Sequence, residues 1–391
     1  MLRVLTLSTL FPDATRRNFG VFVERQTLGL AAHPRVELRV VAPLGLPPFP
    51  LALTGRHAAL ARLPLGEQWK GIDVYRPRFL NVPGTAGRFH VGALTRSLRP
   101  VLANIRRDFA FDVIDASFFF PDGPAAVAMG KAFGVPVSIK ARGSDIHHWG
   151  MAAATGGQVR AAGRDADGVL AVSAAMKRDM VAIGMPADRI RVHRTGVDLG
   201  RFVPRDRHAA KAALKVAGAL VVSNGALIDR KGHDIVIDAV AALPNATLLI
   251  AGEGPYRGAL ETKIAALGLE DRVRLLGAVP HGEMADLLGA ADVMALASVN
   301  EGLANAWVEA LACGTPIVVP DVGGAAEVVT ERAYGRIVGR SAAGFASGIA
   351  AVIADRTPSA QVRAGAERFT WEANTAGLYE HLSGLVAQYR G

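Results

Sequence analysis

Asn300-Glu301-Gly302-Leu303-Ala304-Asn305-Ala306-Trp307-Val308-Glu309-Ala310-Leu311-Ala312-Cys313-Gly314-Thr315-Pro316 is the stretch that decides how this chain reads. A strand is expected to end near Ser298 and a helix to begin near Leu303, stopped by Gly314 and by Pro316 two residues later. The start of that helix, at 302–305, offers main-chain N–H groups and the positive end of a helix dipole, which suits a phosphate. Glu301 and Glu309 are eight positions apart, about 12 Å of rise if all were helical, so the two carboxylates cannot serve one atom. They suit two parts of one extended ligand, such as two sets of sugar hydroxyls. Taken alone, they equally fit a capping acid and a solvated helix acid.

On both sides of this stretch, short apolar β-branched runs alternate with longer helix-like segments, the pattern of parallel sheets covered by helices on both faces. In the first half, strands are expected at 4–8, 37–41, 72–76, 113–116, 135–140 and 168–172, and helices at 21–32, 91–107, 124–133 and 174–184. A second series follows at 219–223, 246–251, 273–276, 293–297 and 317–319, with helical stretches such as 234–242 and 256–267. Between Asp198 and Lys215 the periodicity lapses into a polar stretch containing Pro204, where the domain join is expected. Domains are therefore expected at 1–200 and 201–370, with an amphipathic helix at 371–390 closing the first. Two doubly wound Rossmann-like sheets in tandem form an α/β chain whose ligand site belongs at the carboxyl ends of the strands, in an interdomain cleft.

Composition narrows the function classes. Half of the 391 residues are hydrophobic and a fifth charged, which excludes a disordered chain. The longest uncharged run, 40–55, carries prolines at 43, 47, 48 and 50 and is too short for a membrane-spanning helix. Residues 2–10 read as a first strand rather than a secretion signal. Cys313 is the only cysteine, so no intrachain disulfide forms and a reducing cytoplasm is expected. The net charge of +9 sits in residues 1–100, where 14 Lys and Arg face 5 Asp and Glu. No aromatic-interleaved basic run or zinc finger points to nucleic acid. An anionic membrane surface or a phosphate-bearing substrate is the expected counterpart, and a soluble Arg-rich surface without a partner stays open.

The Glu301-to-Glu309 spacing, followed by Ala310-Leu311-Ala312-Cys313-Gly314-Thr315-Pro316-Ile317-Val318, Gly323-Gly324 and Glu327, resembles the retaining glycosyltransferases of family 4, which have the two-domain GT-B architecture. Further marks of the resemblance run along the chain: Asn18-Phe19-Gly20-Val21-Phe22-Val23, Asp112-Val113-Ile114, Pro121-Asp122-Gly123, Arg142-Gly143-Ser144-Asp145, Val172-Ser173, Gly196-Val197-Asp198, Lys231-Gly232, Gly252-Glu253-Gly254-Pro255 and Trp371-Glu372.

The resemblance implies a nucleotide-diphosphate sugar as co-substrate, with no further cofactor and no metal. It implies that Glu301 holds the sugar hydroxyls, that Glu309 binds the ribose, and that Lys231 sits on the diphosphate. Gly20 would admit the backbone close to that diphosphate, Leu303, Ala304 and Asn305 would add main-chain N–H groups, and Gly254 would flank the base. Ala226 stands where relatives commonly carry a second diphosphate cation, so Arg230 is the candidate replacement. Arg142 stands where many relatives have His, with His147 and His148 just beyond; Arg142 and His147 are therefore candidates on the acceptor side, and Asp145 is the first acid to test in catalysis. Asp165-Ala166-Asp167 precedes a strand and reads as a solvated turn. The acceptor is expected to be a saccharide or lipid-linked, in polysaccharide or glycolipid assembly, with the enzyme cytoplasmic or peripheral on the inner face of the cell membrane. A sugar-nucleotide epimerase or hydrolase, and a non-catalytic nucleotide-sugar-binding protein, remain open.

Overall fold

The computed structural model describes residues 1–17 and 19–391; Asn18 lies outside the described residues. The chain divides into two compact units, residues 1–194 with 371–391, and residues 195–370.

The first unit is built on an eight-stranded sheet. Its strands are β1 (Leu2–Leu7), β2 (Val36–Val41), β4 (Gly66–Trp69), β5 (Ile72–Tyr75), β7 (Val113–Ala116), β8 (Val137–Ala141), β9 (Gly168–Ala171) and β10 (Ile190–Val192). They lie in the order β10-β9-β8-β7-β1-β2-β5-β4, parallel except for the β4–β5 pair. A small parallel pair, β3 (Leu44–Leu46) and β6 (Arg78–Leu80), stands apart. Every residue of β7, β8 and β9 is buried, as the continuous apolar runs of a sheet covered on both faces require. In the helix His90–Ile105, Leu94, Leu98, Leu102 and Ile105 form the buried stripe. The helix Trp371–Arg390 lays Leu378, Leu382 and Val386 against Leu2, Val4 and Val113, so the end of the chain completes the core of the first unit. Each fully buried leucine there contributes about 1.5–3 kcal/mol.

The second unit carries β11 (Ala219–Asn224), β12 (Ala246–Ala251), β13 (Val273–Gly277), β14 (Val293–Ala295), β15 (Ile317–Pro320) and β16 (Gly335–Val338), all parallel, in the order β13-β12-β11-β14-β15-β16. Strand order reverses at β1 and β7 in the first sheet and at β11 and β14 in the second. Loops leaving the carboxyl ends of these pairs are where open sheets bind ligands.

Three sequence expectations are corrected. The join falls at 194/195 rather than 200, because Val197 pairs with Thr370 and donates to the Phe369 carbonyl at 2.7 Å, tying 195–200 to the second unit. The polar stretch read as the join contains a helix, Arg207–Ala213, capped by the Asp206 carboxylate accepting from the N–H groups of His208 and Ala209. The helix expected near Leu303 starts at Asn305, with Ala304 as its N-cap.

Candidate active site

At the reversal point of the second sheet, β11 runs into Gly225–Ile228 and a 3-10 turn, Asp229–Lys231, before the helix His233–Ala241. Gly232 joins turn to helix at φ 66°, and a Cβ there would lie 2.1 Å from the Ala297 carbonyl oxygen. Only glycine permits that approach. The contact brings the turn against the segment leaving β14: Val299 N–H donates to the Arg230 carbonyl at 2.8 Å, and the Arg230 guanidinium reaches Asn300 Oδ1 at 3.4 Å. Lys231 Nζ and Glu301 Oε1 form an ion pair, and Ser298 Oγ donates to the same oxygen at 2.7 Å. The Lys231 stem passes Gly225, whose missing Cβ would meet its Cδ at 3.5 Å. On the other side, a Cβ on Gly323 would come 2.1 Å from the Glu301 carbonyl oxygen, and Gly324 N–H donates to the Gly302 carbonyl at 2.8 Å. The 297–302 loop is thus held from both flanks.

This loop feeds the helix Asn305–Ala312, whose N-cap Ala304 provides no side-chain acceptor for the first-turn N–H groups. Asn305 Oδ1 is buried without a hydrogen-bond partner among the described residues. One turn further on, Glu309 is 5 % exposed and lies 3.7 Å from His281 Nε2. Neither Glu301 nor Glu309 turns to bulk water, with side chains 12 % and 6 % exposed. The Gly252–Pro255 turn is locked to the β11 loop: Leu227 N–H donates to the Glu253 carbonyl at 2.9 Å, and a Cβ on Gly254 would sit 2.2 Å from the Leu227 carbonyl oxygen.

In the first unit, Gly20 caps the helix Val21–Ala31 at φ 68°, with room for no Cβ beside the Leu10 carbonyl, 2.2 Å away. The residues after β8 are engaged inward. Asp145 is fully buried and accepts from the main-chain N–H groups of Phe119 at 3.1 Å, Arg142 at 3.0 Å and Gly143 at 2.7 Å. Burial raises its pKa, and these three donors oppose the rise. The carboxylate expected as the first acid to test is therefore a clamp on its own loop. Arg142 donates through Nε to the Ser117 carbonyl at 2.6 Å and through Nη2 to Gln26 Oε1 at 3.3 Å. Gln26 Oε1 also accepts from the buried Lys140 Nζ at 2.7 Å. His147 Nε2 lies 2.9 Å from Asp179. The Asp165-Ala166-Asp167 turn is not simply solvated, since Asp167 accepts from Val137 N–H at 2.8 Å.

The structure thus brings Arg230, Lys231, Glu301 and Asn305 to one place at the carboxyl ends of β11 and β14. Sequence reading missed Ser298 as a partner of Glu301, because the two lie in an irregular loop where a three-residue spacing carries no signal of contact. It also missed Arg340, whose Nε donates to the Ala297 carbonyl at 2.9 Å, and His233, which bonds Ser223 Oγ through Nδ1 at 2.9 Å. Burial drives His233 down to about 4.

Residues 21–201 match the family described as Glycosyltransferase Family 4, and residues 204–369 match Glycosyl transferases group 1. The chain is similar to D-inositol 3-phosphate glycosyltransferase of Mycolicibacterium smegmatis, 36% identical over 214 residues that make up 52% of this chain and 49% of that protein. It spans about half the length of that relative and of the Nocardia farcinica protein of the same name, 49% and 54%. The putative teichuronic acid biosynthesis glycosyltransferase TuaC of Bacillus subtilis is 26% identical over 363 residues, 89% of this chain and 88% of that one. Among solved structures, sucrose-phosphate synthase of Thermosynechococcus elongatus superposes with a TM-score of 0.83 at 20% identity over 99% of this chain and 100% of that chain. Anabaena Alr3699/HepE in complex with UDP-glucose superposes with a TM-score of 0.73 at 22% identity over 98% and 100%.

Proposed function

We propose that this chain, which belongs to the family 4 glycosyltransferases of GT-B fold, transfers a glycosyl group from a nucleoside-diphosphate sugar to an acceptor with retention of anomeric configuration. The observation that carries the reading is the Lys231–Glu301 pair set beside a helix start with no side-chain cap, at the reversal point of the second sheet.

In this reaction the bond from the anomeric carbon to the diphosphate oxygen breaks and negative charge grows on the leaving diphosphate. Lys231 meets that charge as a compact cation, and the N–H groups of Leu303, Ala304 and Asn305 add fixed dipoles. Arg230 supplies the second cation where Ala226 has none. Glu301 accepts hydrogen bonds from the sugar hydroxyls and Glu309 from the ribose. Gly20, which keeps its turn free of a Cβ, is assigned to donor phosphate binding, and Gly254 sets the turn flanking the base. The acceptor oxygen bonds to the same face of the anomeric carbon as its proton passes to a diphosphate oxygen. The proposal calls on no protein base, metal or further cofactor. Arg142, held by the Ser117 carbonyl and by Gln26 of the helix Val21–Ala31, and His147, held by Asp179, are assigned to the acceptor side.

The acceptor is lipid-linked or otherwise membrane-bound, and the enzyme works from the cytoplasm at the inner face of the membrane, in polysaccharide or glycolipid assembly. TuaC, named for teichuronic acid biosynthesis, is a relative along nearly the whole chain. Among the described residues no helix is long and apolar enough to cross a membrane.

A thermal-shift screen of nucleoside diphosphates and their sugars tests the donor. A ligand at about 100 times its dissociation constant adds about 2.7 kcal/mol of stability. Mass spectrometry with the stabilising sugar nucleotide and a lipid extract then reads the product. A glycosylated lipid supports the proposal; donor consumed without any acceptor points to an epimerase or hydrolase, and a chain that no sugar nucleotide stabilises overturns the reading.

A further inference from the structure

From Glu37 to Glu67 the sequence has no acidic residue between the two, and again none between Asp73 and Asp108, while these two runs hold ten arginines. The runs fold together as one lobe of the first unit. Strands β3 and β6 pair in parallel. The helix Gly55–Ala61 packs on β3 and the helix His90–Ile105 on β6. Arg78 Nη2 donates to the Ala61 carbonyl at 2.8 Å, and Ser97 Oγ donates to the Arg78 carbonyl at 2.8 Å. Leu44, Leu46, Leu60 and Leu63 make a small core of its own.

What this lobe leaves on its surface is unusual in kind. Phe49 is 81% exposed, Leu53 62% and Leu65 64%, and Leu51 is exposed beside them. Along the outer face of the helix His90–Ile105, opposite its leucine stripe, Arg96 and Arg99 are exposed, and Arg62 is exposed just after the helix Gly55–Ala61. Large apolar side chains in a field with one sign of charge match a surface that is apolar below and anionic above. A nucleic acid would leave the leucines unburied, and an acidic protein would not need them to project singly.

We propose that this lobe docks on an anionic phospholipid bilayer, with Phe49, Leu51 and Leu53 entering the boundary between headgroups and acyl chains and Arg62, Arg96 and Arg99 lying against lipid phosphates. The inference deepens the reading of the chain as a glycosyltransferase with a membrane-bound acceptor and rests on it for its purpose. Docking restricts the search for such an acceptor to the membrane plane. Because the sites are separate, loss of docking leaves donor binding intact.

The test sediments the full chain with vesicles of phosphatidylcholine alone or with one-third phosphatidylglycerol. Wild type is expected to bind the anionic vesicles, to be released by high salt, and to ignore the neutral ones. F49S/L53S and R96E/R99E are each expected to lower partition at least tenfold, since each basic residue near the surface accounts for about fivefold. Their melting temperatures, and their stabilisation by nucleoside diphosphates measured without lipid, are expected to match wild type. Wild type that fails to sediment with anionic vesicles at low salt overturns the docking proposal, as do two folded variants that bind as wild type does. Nucleotide stabilisation in the same samples decides the donor reading separately: docking without any nucleotide response removes the transferase reading and keeps the lobe.

Discussion

Lys231 Nζ is paired with Glu301 Oε1, and Ser298 Oγ shares that oxygen at 2.7 Å, so one carboxylate oxygen holds the turn after β11 to the loop after β14. A sugar nucleotide that takes Lys231 by its diphosphate and Glu301 by its sugar must part the two. Removal of either side chain should then separate into different kinetic signatures. Lys231→Ala is expected to lower kcat/KM by about 10²–10³, as for other preorganised donors to a developing charge, and to weaken nucleoside diphosphate binding in a calorimetric titration. Glu301→Gln should lower kcat without weakening diphosphate binding, because the nucleotide without its sugar never meets that carboxylate and Lys231 no longer leaves an ion pair to reach the phosphates. Equal loss of diphosphate affinity in both variants would show that the roles are misassigned.

The turn that carries Lys231 depends on a glycine. A Cβ at 232 would meet the Ala297 carbonyl at 2.1 Å in a backbone with φ 66°, a conformation that alone costs an L-residue about 1–2 kcal/mol. Gly232→Ala should lower the melting temperature and blunt the response to nucleoside diphosphates, since 232 follows Lys231 and 297 precedes Ser298. Gly258→Ala is the control. That residue lies in the helix Arg257–Ala266 with nothing within 4 Å of an added Cβ, so the change should be neutral or slightly stabilising. Equal melting temperatures in both variants would contradict the steric account.

Asp145 offers a contrast between a structural acid and a catalytic one. Its oxygens accept from Phe119, Arg142 and Gly143 with no exposed face. Asp145→Ala leaves three buried N–H donors short of an acceptor, at about 1–3 kcal/mol for each group left unsatisfied. The variant is expected to melt well below wild type or not to fold. Asp145→Asn keeps one acceptor oxygen and should fold, with the limbs of its kcat/KM against pH profile where wild type has them. A limb that disappears in the folded Asn variant would restore the acid to the chemistry.

These contrasts also show how far sequence carries. Strands β1, β7, β11 and β12 were legible because a buried parallel strand is a short run rich in aliphatic residues, and Val4-Leu5, Val113-Ile114, Leu220-Val221-Val222 and Leu248-Leu249-Ile250 supply such runs despite Arg3, Thr6 and Asp115 within or beside them. The edge strand Gly66–Trp69 has no such run and pairs antiparallel with β5, so nothing in its composition marks it. The helix Arg207–Ala213 has no buried residue and hence no apolar stripe to betray it. The acid pair Glu301 and Glu309 stood out only with the residues around it, from Ala310 to Val318 and on to Glu327, because its spacing alone equally fits a capping acid and a solvated helix acid. The inward commitment of Arg142 was not, because its partners Ser117 and Gln26 lie 25 and 116 residues away in sequence, and only the sheet order brings them together.

Two buried histidines tie stability to pH. His233 lies against Ser223 in the second unit and His381 against Ser138 in the first, at 2.9 and 3.1 Å. Burial pushes each down to about 4, below the ordinary value of about 6.5. A depressed folded-state pKa means that the unfolded chain takes up the proton first as pH falls. The stability each contributes is fully present above pH 6.5 and is lost between 6.5 and 4, to a limit of about 3 kcal/mol for each group. Asp115 and Asp122 slope the other way. Burial raises them to about 6 and about 7, so what they contribute is present below their unfolded pKa and lost as pH rises through those values. The two slopes overlap, and a wild-type stability curve alone mixes them. The difference between wild type and His233→Asn, measured by urea unfolding at a series of pH values, cancels the carboxylates. It should be constant above pH 7 and fall by about 2–3 kcal/mol on acidification to pH 4. A difference that stays flat across that range would mean that His233 takes up its proton as readily in the folded chain as in the unfolded one, against its burial beside Ser223.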